Sequence, residues 1–97
     1  MPRVELRPKA LQDLEDIWHF TLENWGEDQA DQYILDMNDG FESLADHPRK
    51  GPSCDDIREG YRKYNIGRHI VFYRTISQGI EIVRILHQSM DPDRHLK

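Results

Sequence analysis

The sequence predicts an α+β fold: an N-terminal strand, an antiparallel helical hairpin packed on a three-stranded antiparallel sheet, and a short C-terminal tail. Three observations predict it. Apolar residues recur at three- and four-residue spacing through the first half of the chain. The second half breaks into short runs rich in Val, Ile, Phe and Tyr, separated by glycine-containing turns. The link between the two helical stretches is too short for anything but an antiparallel hairpin. A length of 97 residues makes residues 1–97 a single domain.

The elements follow in order. Val4 to Leu6 reads as a short strand with Val4 and Leu6 on one face. Pro8 suits the first position of a helix, where its missing N–H costs nothing. Leu11, Leu14, Ile17/Trp18, Thr21/Leu22 and Trp25 then paint one helical face apolar, and Trp18 and Trp25 read as core or hairpin anchors. Gly26 ends this helix and Asp28 is placed to cap the next. Ala30, Tyr33/Ile34, Met37, Phe41 and Leu44 carry the second helix to about Asp46, where His47-Pro48 stops it. Arg49 to Asp56 is a loop. Strands run roughly from Gly60 to Asn65, Arg68 to Thr75 and Ile80 to His87, with turns at Gly67 and Ser77-Gln78-Gly79. The tail, Asp91 to Lys97, has room for one helical turn.

Flanking the last turn with Ile76 and Ile80 sets Tyr73 against Val83 and Val71 against Ile85. On the opposite face it sets Phe72 against Arg84, Ile70 near Leu86 and Ile82 near Arg74. Both faces then carry large apolar groups, whereas a sheet with one wet face shows a cleaner alternation. One helical hairpin covers one face, so the other is expected to be exposed, covered by the tail, or covered by another protein. The mixture of Phe72, Ile82 and Leu86 with Arg74 and Arg84 suits partner docking, since guanidinium groups fork onto carboxylates while apolar neighbours exclude water. The alternative is that the arginines reach over the sheet edge and pair with Glu59 or Glu81.

The net charge of −5 argues against a protein whose main work is gripping a nucleic-acid backbone. Residues 1–50 carry 12 acidic against 5 basic side chains, and residues 51–97 carry 6 against 8. The first half is an acidic surface; the second is mildly basic and fits an acidic partner segment. Apolar runs such as Ile70 to Tyr73 are too short to span a bilayer, and Met1 to Lys9 has no secretory apolar segment. With a single cysteine, Cys54, and therefore no intrachain disulfide, these features fit the cytoplasm.

Chemistry is sparse. His19, His47, His69, His87 and His95 are scattered without metal-ligand spacing, so no metal or cofactor is expected. His87 could act as a general acid or base with Arg74 or Arg84 stabilising an anion and Glu59 as a second carboxylate, although a hydrogen-bonded structural histidine explains it better. Cys54 lies in a polar loop without an adjacent base. There is no glycine-rich phosphate loop, serine elbow or kinase signature.

The run Ala10-Leu11-Gln12-Asp13-Leu14-Glu15-Asp16-Ile17-Trp18, then Trp25-Gly26, Ala30, Tyr33 and Leu44-Ala45-Asp46-His47-Pro48, resembles the start of ParE-type toxins. Gly60-Tyr61-Arg62, Arg68-His69-Ile70-Val71-Phe72-Tyr73-Arg74, Arg84 through Asp91 and Arg94-His95-Leu96 resemble that family's strand motifs and ending. The ordered set covers nearly the whole chain and favours the ParE branch of the RelE/ParE superfamily.

The resemblance implies a strand–helix–helix–three-strand fold and the toxin role in a type II toxin–antitoxin system. It implies a ParD-like antitoxin with a ribbon–helix–helix DNA-binding head and a tail that lies along the hairpin and reaches the sheet, in a heterotetramer or larger assembly. With the mixed sheet face, it points antitoxin binding to Trp18, Arg58, Tyr61, Arg62, Phe72, Arg74, Ile82, Arg84 and Leu86. ParE relatives poison DNA gyrase through their C-terminal region, which falls here on Met90 to Lys97, with Met90, Asp91, Arg94, His95 and Leu96 as the expected contacts. On this reading the chain is not an enzyme, meets no membrane and reads no nucleic-acid sequence itself. The alternative is a RelE-like ribosome-dependent mRNA endonuclease using His87, Arg74, Arg84 and Glu59. That activity wants a basic surface, and only Lys63 and Lys97 supply lysines in the second half. A third reading is an antitoxin-binding relative without toxicity.

Overall fold

The computed structural model describes residues 2–96. Its elements are β1 (Arg3–Leu6), α1 (Pro8–Trp25), α2 (Glu27–Asp46), a 3-10 turn at Pro48–Lys50, β2 (Tyr61–Ile66), β3 (His69–Ile76), β4 (Gly79–His87) and α3 (Pro92–Leu96). The sheet order is β1-β4-β3-β2. The predicted three-stranded meander is present as β2–β3–β4, and the N-terminal strand joins it in parallel beside β4. That junction depends on Gly79, where a Cβ would collide with the Arg3 backbone.

Gly26 alone links the helices. At φ 93° its N–H closes α1 on the Leu22 carbonyl, and its own carbonyl accepts the Ala30 N–H that opens α2. Asp28 is therefore not the cap. It sits with Glu27 in the first turn of α2, where both carboxylates oppose the helix's positive end. The inward face of α1 is Ala10, Ile17 and Thr21, with Leu14 half-buried. Of the apolar face read from the sequence, Leu14, Ile17 and Thr21 turn inward as predicted, whereas Leu11 is exposed and Trp25 is 66% exposed rather than a core anchor. From α2, Ala30, Met37, Phe41, Leu44 and Ala45 turn inward as the periodicity predicts.

The register of β3 and β4 departs from expectation at one residue. Ile70–Leu86, Val71–Ile85 and Phe72–Arg84 pair as predicted, with His69 opposite His87 beyond them, but Tyr73 faces Ile82 and Arg74 faces Glu81. Val83 is the extra residue of a β-bulge. The bulge reverses the side on which the first part of β4 presents its residues. Ile80 and Ile82 therefore join Ile85, Val71 and Tyr73 in the core under the hairpin, with Met37, Phe41 and Leu44. Ile82 is not on the mixed face with Arg74.

The second face is not bare. Phe72, Val83 and Leu86 are covered by Cys54, Ile57 and Tyr61 from the segment before and into β2 and by Leu96 from α3. Of the three expectations for this face, exposed, covered by the tail or covered by another protein, the tail supplies part of the cover and the segment leading into β2 the rest. The loop is pinned through Gly51: its N–H donates to the Tyr73 hydroxyl (3.0 Å), its carbonyl accepts from Arg62 (2.7 Å), and the Tyr73 hydroxyl donates to the Pro48 carbonyl (2.6 Å). Cys54 is buried rather than in an open polar loop, and burial pushes its thiol up.

Candidate functional site

β1 stops pairing at Leu6 with Ile82, because the chain turns at Pro8 into α1. The exposed edge of β4 is then served by a side chain. Asp13 accepts the Ile85 backbone N–H at 2.9 Å and holds Arg84 in a two-point ion pair at 2.8 and 3.0 Å. Arg84 thus pairs inside the chain, with Asp13 rather than with Glu59 or Glu81. The other predicted internal pair does form: Arg74 donates its Nε–H to Glu81 at 2.6 Å. Arg7 donates to the same Glu81 oxygen at 3.0 Å and reaches the Tyr61 hydroxyl at 3.3 Å. Arg74 holds the Glu81 carboxyl below its usual range, against partial burial, with help from Arg7.

These groups surround a cleft of about 650 Å³ between the start of α1, the β2–β3–β4 surface and the tail. Arg7, Lys9, Arg58, Arg74, Arg84 and His95 line it with Glu59, over a floor that includes Val83 and Leu96. Three of the four residues expected of a ribonuclease, Arg74, Arg84 and Glu59, meet here. His87 does not. It pairs with His69 at the far end of β3 and β4, on the hairpin side.

At that far end two histidine rings meet, each hydrogen-bonded to a different neighbour. The rings of His69 and His87 stand edge-on at 5.3 Å. The Tyr33 hydroxyl lies 2.7 Å from His69 Nδ1 and accepts the Arg68 backbone N–H at 3.0 Å. His87 Nδ1 accepts the Ser89 backbone N–H at 3.1 Å. Burial first, then His87, lowers the His69 pKa to about 4, so His69 is neutral at ordinary pH.

The residues expected to bind a partner divide sharply. Phe72, Ile82, Leu86 and Tyr61 are buried, Arg62 is committed to Gly51, and Arg84 is committed to Asp13. Arg58, Arg74 and Trp18 stay accessible. On the outside of the hairpin, Leu11 is 52% exposed and Trp25 66%, with Trp18 half-buried between them at seven-residue spacing. Trp18 is steadied by an Nε1–H bond to Asp31 of α2 at 3.1 Å. In the tail, Met90, Asp91, Arg94 and His95 are exposed, while Leu96 is tucked under the sheet. Lys97 lies outside the described residues. Among the described residues, no three His, Cys, Asp or Glu gather as a metal site, and no helix is long and apolar enough to cross a membrane.

The model of the family described as "ParE toxin of type II toxin-antitoxin system, parDE" matches residues 4–92. The chain belongs to the ParE toxin family. It is 47% identical over 95 residues to Toxin ParE1 of Mycobacterium tuberculosis, covering 97% of each chain. It is 40% identical over 96 residues to Toxin ParE1 of Caulobacter vibrioides, covering 99% of each. The fold matches a solved structure titled "Chromosomal ParDE TA system from P. aeruginosa" at a TM-score of 0.76, over 90% of this chain and 96% of that one, with 20% identity. The ParE assignment drawn from the sequence motifs therefore holds, as does the fold class.

Within this ParE fold, sequence reasoning missed Asp13, the Tyr33–His69 contact and the cleft lining by Arg7 and Lys9. Each joins residues far apart in the chain, for which one sequence carries no signal. The outward stripe did carry one. Ala10, Ile17 and Thr21 form a second periodic line beside Leu11, Trp18 and Trp25, and one helix cannot bury both against a single sheet.

Proposed function

We propose that this ParE toxin is silenced by a ParD-like antitoxin laid along the outside of its helical hairpin, and that it acts by binding DNA gyrase rather than by turnover. The observation that carries the first half is the Leu11–Trp18–Trp25 stripe, whose two large end residues are more than half exposed. Exposed aromatics in a row are what an amphipathic segment buries, and tryptophan is the residue type most often dominant in such contacts. The stripe is flanked by acids: Glu15 sits on the adjacent helical positions and Asp31 bonds Trp18. The complementary segment therefore presents apolar residues flanked by Lys or Arg. This reassigns the docking chemistry expected from the sequence, since the apolar side chains of the second sheet face are already covered. The gyrase half rests on family membership and on the exposed tail residues Met90, Asp91, Arg94 and His95.

The ribonuclease reading loses support because His87 faces the hairpin with His69 while Arg74, Arg84 and Glu59 line the cleft. Purified gyrase in a supercoiling assay separates the classes: the toxin is expected to block supercoiling and the antitoxin to restore it. Full supercoiling at excess toxin, with mRNA cleavage in a translation extract, would overturn the gyrase reading. Trp25→Ala is expected to weaken antitoxin binding by about 2 kcal/mol while leaving the thermal midpoint in place. Unchanged affinity in a calorimetric titration removes the hairpin as the docking surface.

A further inference from the structure

We propose that the cleft between the start of α1 and the tail binds the phosphate group of a small, nucleotide-sized ligand. The site is distinct from the hairpin stripe, and its charge pattern carries the assignment. Five Arg and Lys side chains and His95 line the cleft, against one lining carboxylate, Glu59. Two further carboxylates act from its margin, and both are shared or taken. Arg7 and Arg74 converge on a single oxygen of Glu81, and Asp13 is consumed by Arg84 and the Ile85 N–H. Arg58 has only a long contact to the neutral Leu96 carbonyl, at 3.5 Å. Lys9 is exposed and makes no ion pair with any described residue. Cations gathered in one concave site repel one another, and a bound anion relieves that repulsion. The excess is local, because the chain as a whole carries a net charge of −5.

The chemistry favours phosphate over carboxylate. One guanidinium fork satisfies a carboxylate, whereas the three terminal oxygens of a phosphate accept from several cations at once. Pro8 and Lys9, which open α1, also line the cleft, and that first turn holds no acid, unlike the first turn of α2. The positive end of α1 adds to the field of the side chains. The volume, about 650 Å³, lies within the ~300–1,000 Å³ typical of small-molecule sites, and Val83 and Leu96 offer apolar surface to the rest of the ligand. A long nucleic acid fits less well. From the rim, α1 runs on with Asp13, Glu15, Asp16 and Glu23 against a single lysine, Lys9, and that acidic helix repels a continuing phosphate backbone.

An amide-resolved NMR titration of the intact protein tests this with three probes: ADP, inorganic phosphate and a Glu-rich hexapeptide. ADP is expected to give saturable shifts around Lys9, Arg58, Arg74 and His95. The double variant Lys9→Glu/Arg58→Glu, exposed positions without carboxylate partners, is expected to weaken ADP at least about tenfold with its thermal midpoint unchanged. Inorganic phosphate binding as tightly as ADP supports the phosphate site and assigns it to the free ion. Shifts that do not saturate, affinity indifferent to the double variant, or tighter binding of the hexapeptide than of ADP would each overturn the proposal. Toxicity towards gyrase and binding at Trp25 are read separately, so failure here leaves the proposed function standing.

Discussion

The two faces of one sheet are covered in different ways. Under the hairpin, helices of 18 and 20 residues close over Val71, Tyr73, Ile80, Ile82 and Ile85 with Met37, Phe41 and Leu44. On the other side a loop and a five-residue helix close over Phe72, Val83 and Leu86 with Cys54, Ile57 and Leu96. The first cover is regular and hydrogen-bonded within itself. The second hangs on a few long-range contacts, Gly51 to Tyr73 and Arg62 to Gly51, with Leu96 packed under the sheet near the chain end. Terminal segments open more readily than central helices. Stability is therefore concentrated on the hairpin face, and recognition chemistry on the parts that the core does not require.

The largest expected effect breaks this comparison directly. Phe41→Ala removes a fully buried ring from the hairpin core and is expected to cost about 3–5 kcal/mol. Leu96→Ala removes the cap of the second cluster, where the tail can relax, and is expected to cost about 1–2 kcal/mol. Urea denaturation of both variants gives the ratio, and equal costs would mean that the two covers are energetically alike. The next effect lies at the seam between the faces. Asp13→Ala strands Arg84 and the Ile85 N–H together and is expected to cost about 2–3 kcal/mol, less than a fully buried pair because both side chains keep some solvent. Arg84→Met added to Asp13→Ala is expected to recover part of that loss. A double variant no better than Asp13→Ala alone would assign the cost to the backbone N–H.

The same contrast explains what could be read from the sequence. The hairpin, the three consecutive strands and the family were legible because periodicity and ordered motifs are local signals. The β-bulge was not. Ile80, Ile82 and Ile85 look like a broken alternation, and only the extra residue Val83 reconciles them with one face. Missing it exchanged Ile82 and Val83 between the faces. That both faces carry large apolar groups was read correctly, and what the sequence did not reveal is how the second face is covered. The cover itself, Cys54, Ile57 and Leu96, comes from irregular chain in which apolar residues keep no period. Of the expected arginines, Arg58, Arg74 and Arg84 share the cleft while Arg62 is held at Gly51. Glu81 was legible as a partner of Arg74, whereas Asp13, 71 residues from Arg84 in sequence, was not.

The smallest effect separates the faces along the pH axis. His69 closes the hairpin side, packed by Tyr33 from α2, His87 from β4 and the Arg68 backbone, with the Asp13 charge acting at longer range. Its folded pKa of about 4 lies below the usual 6.5, so the unfolded chain binds the proton more readily. Its contribution is complete above pH 6.5 and drains away as the pH falls towards 4. Glu81 serves the other side and its pKa is also lowered, here from the usual 4.5. For this carboxylate, stabilisation is present above 4.5 and fades only as the pH drops further, through its folded value. The urea midpoint is therefore expected to decline in two stages on acidification. His69→Gln flattens the first stage and leaves the second, and Glu81→Gln does the reverse. A first stage that survives His69→Gln would show that another group carries the acid sensitivity, and His69 would lose its claim to the early part of the curve.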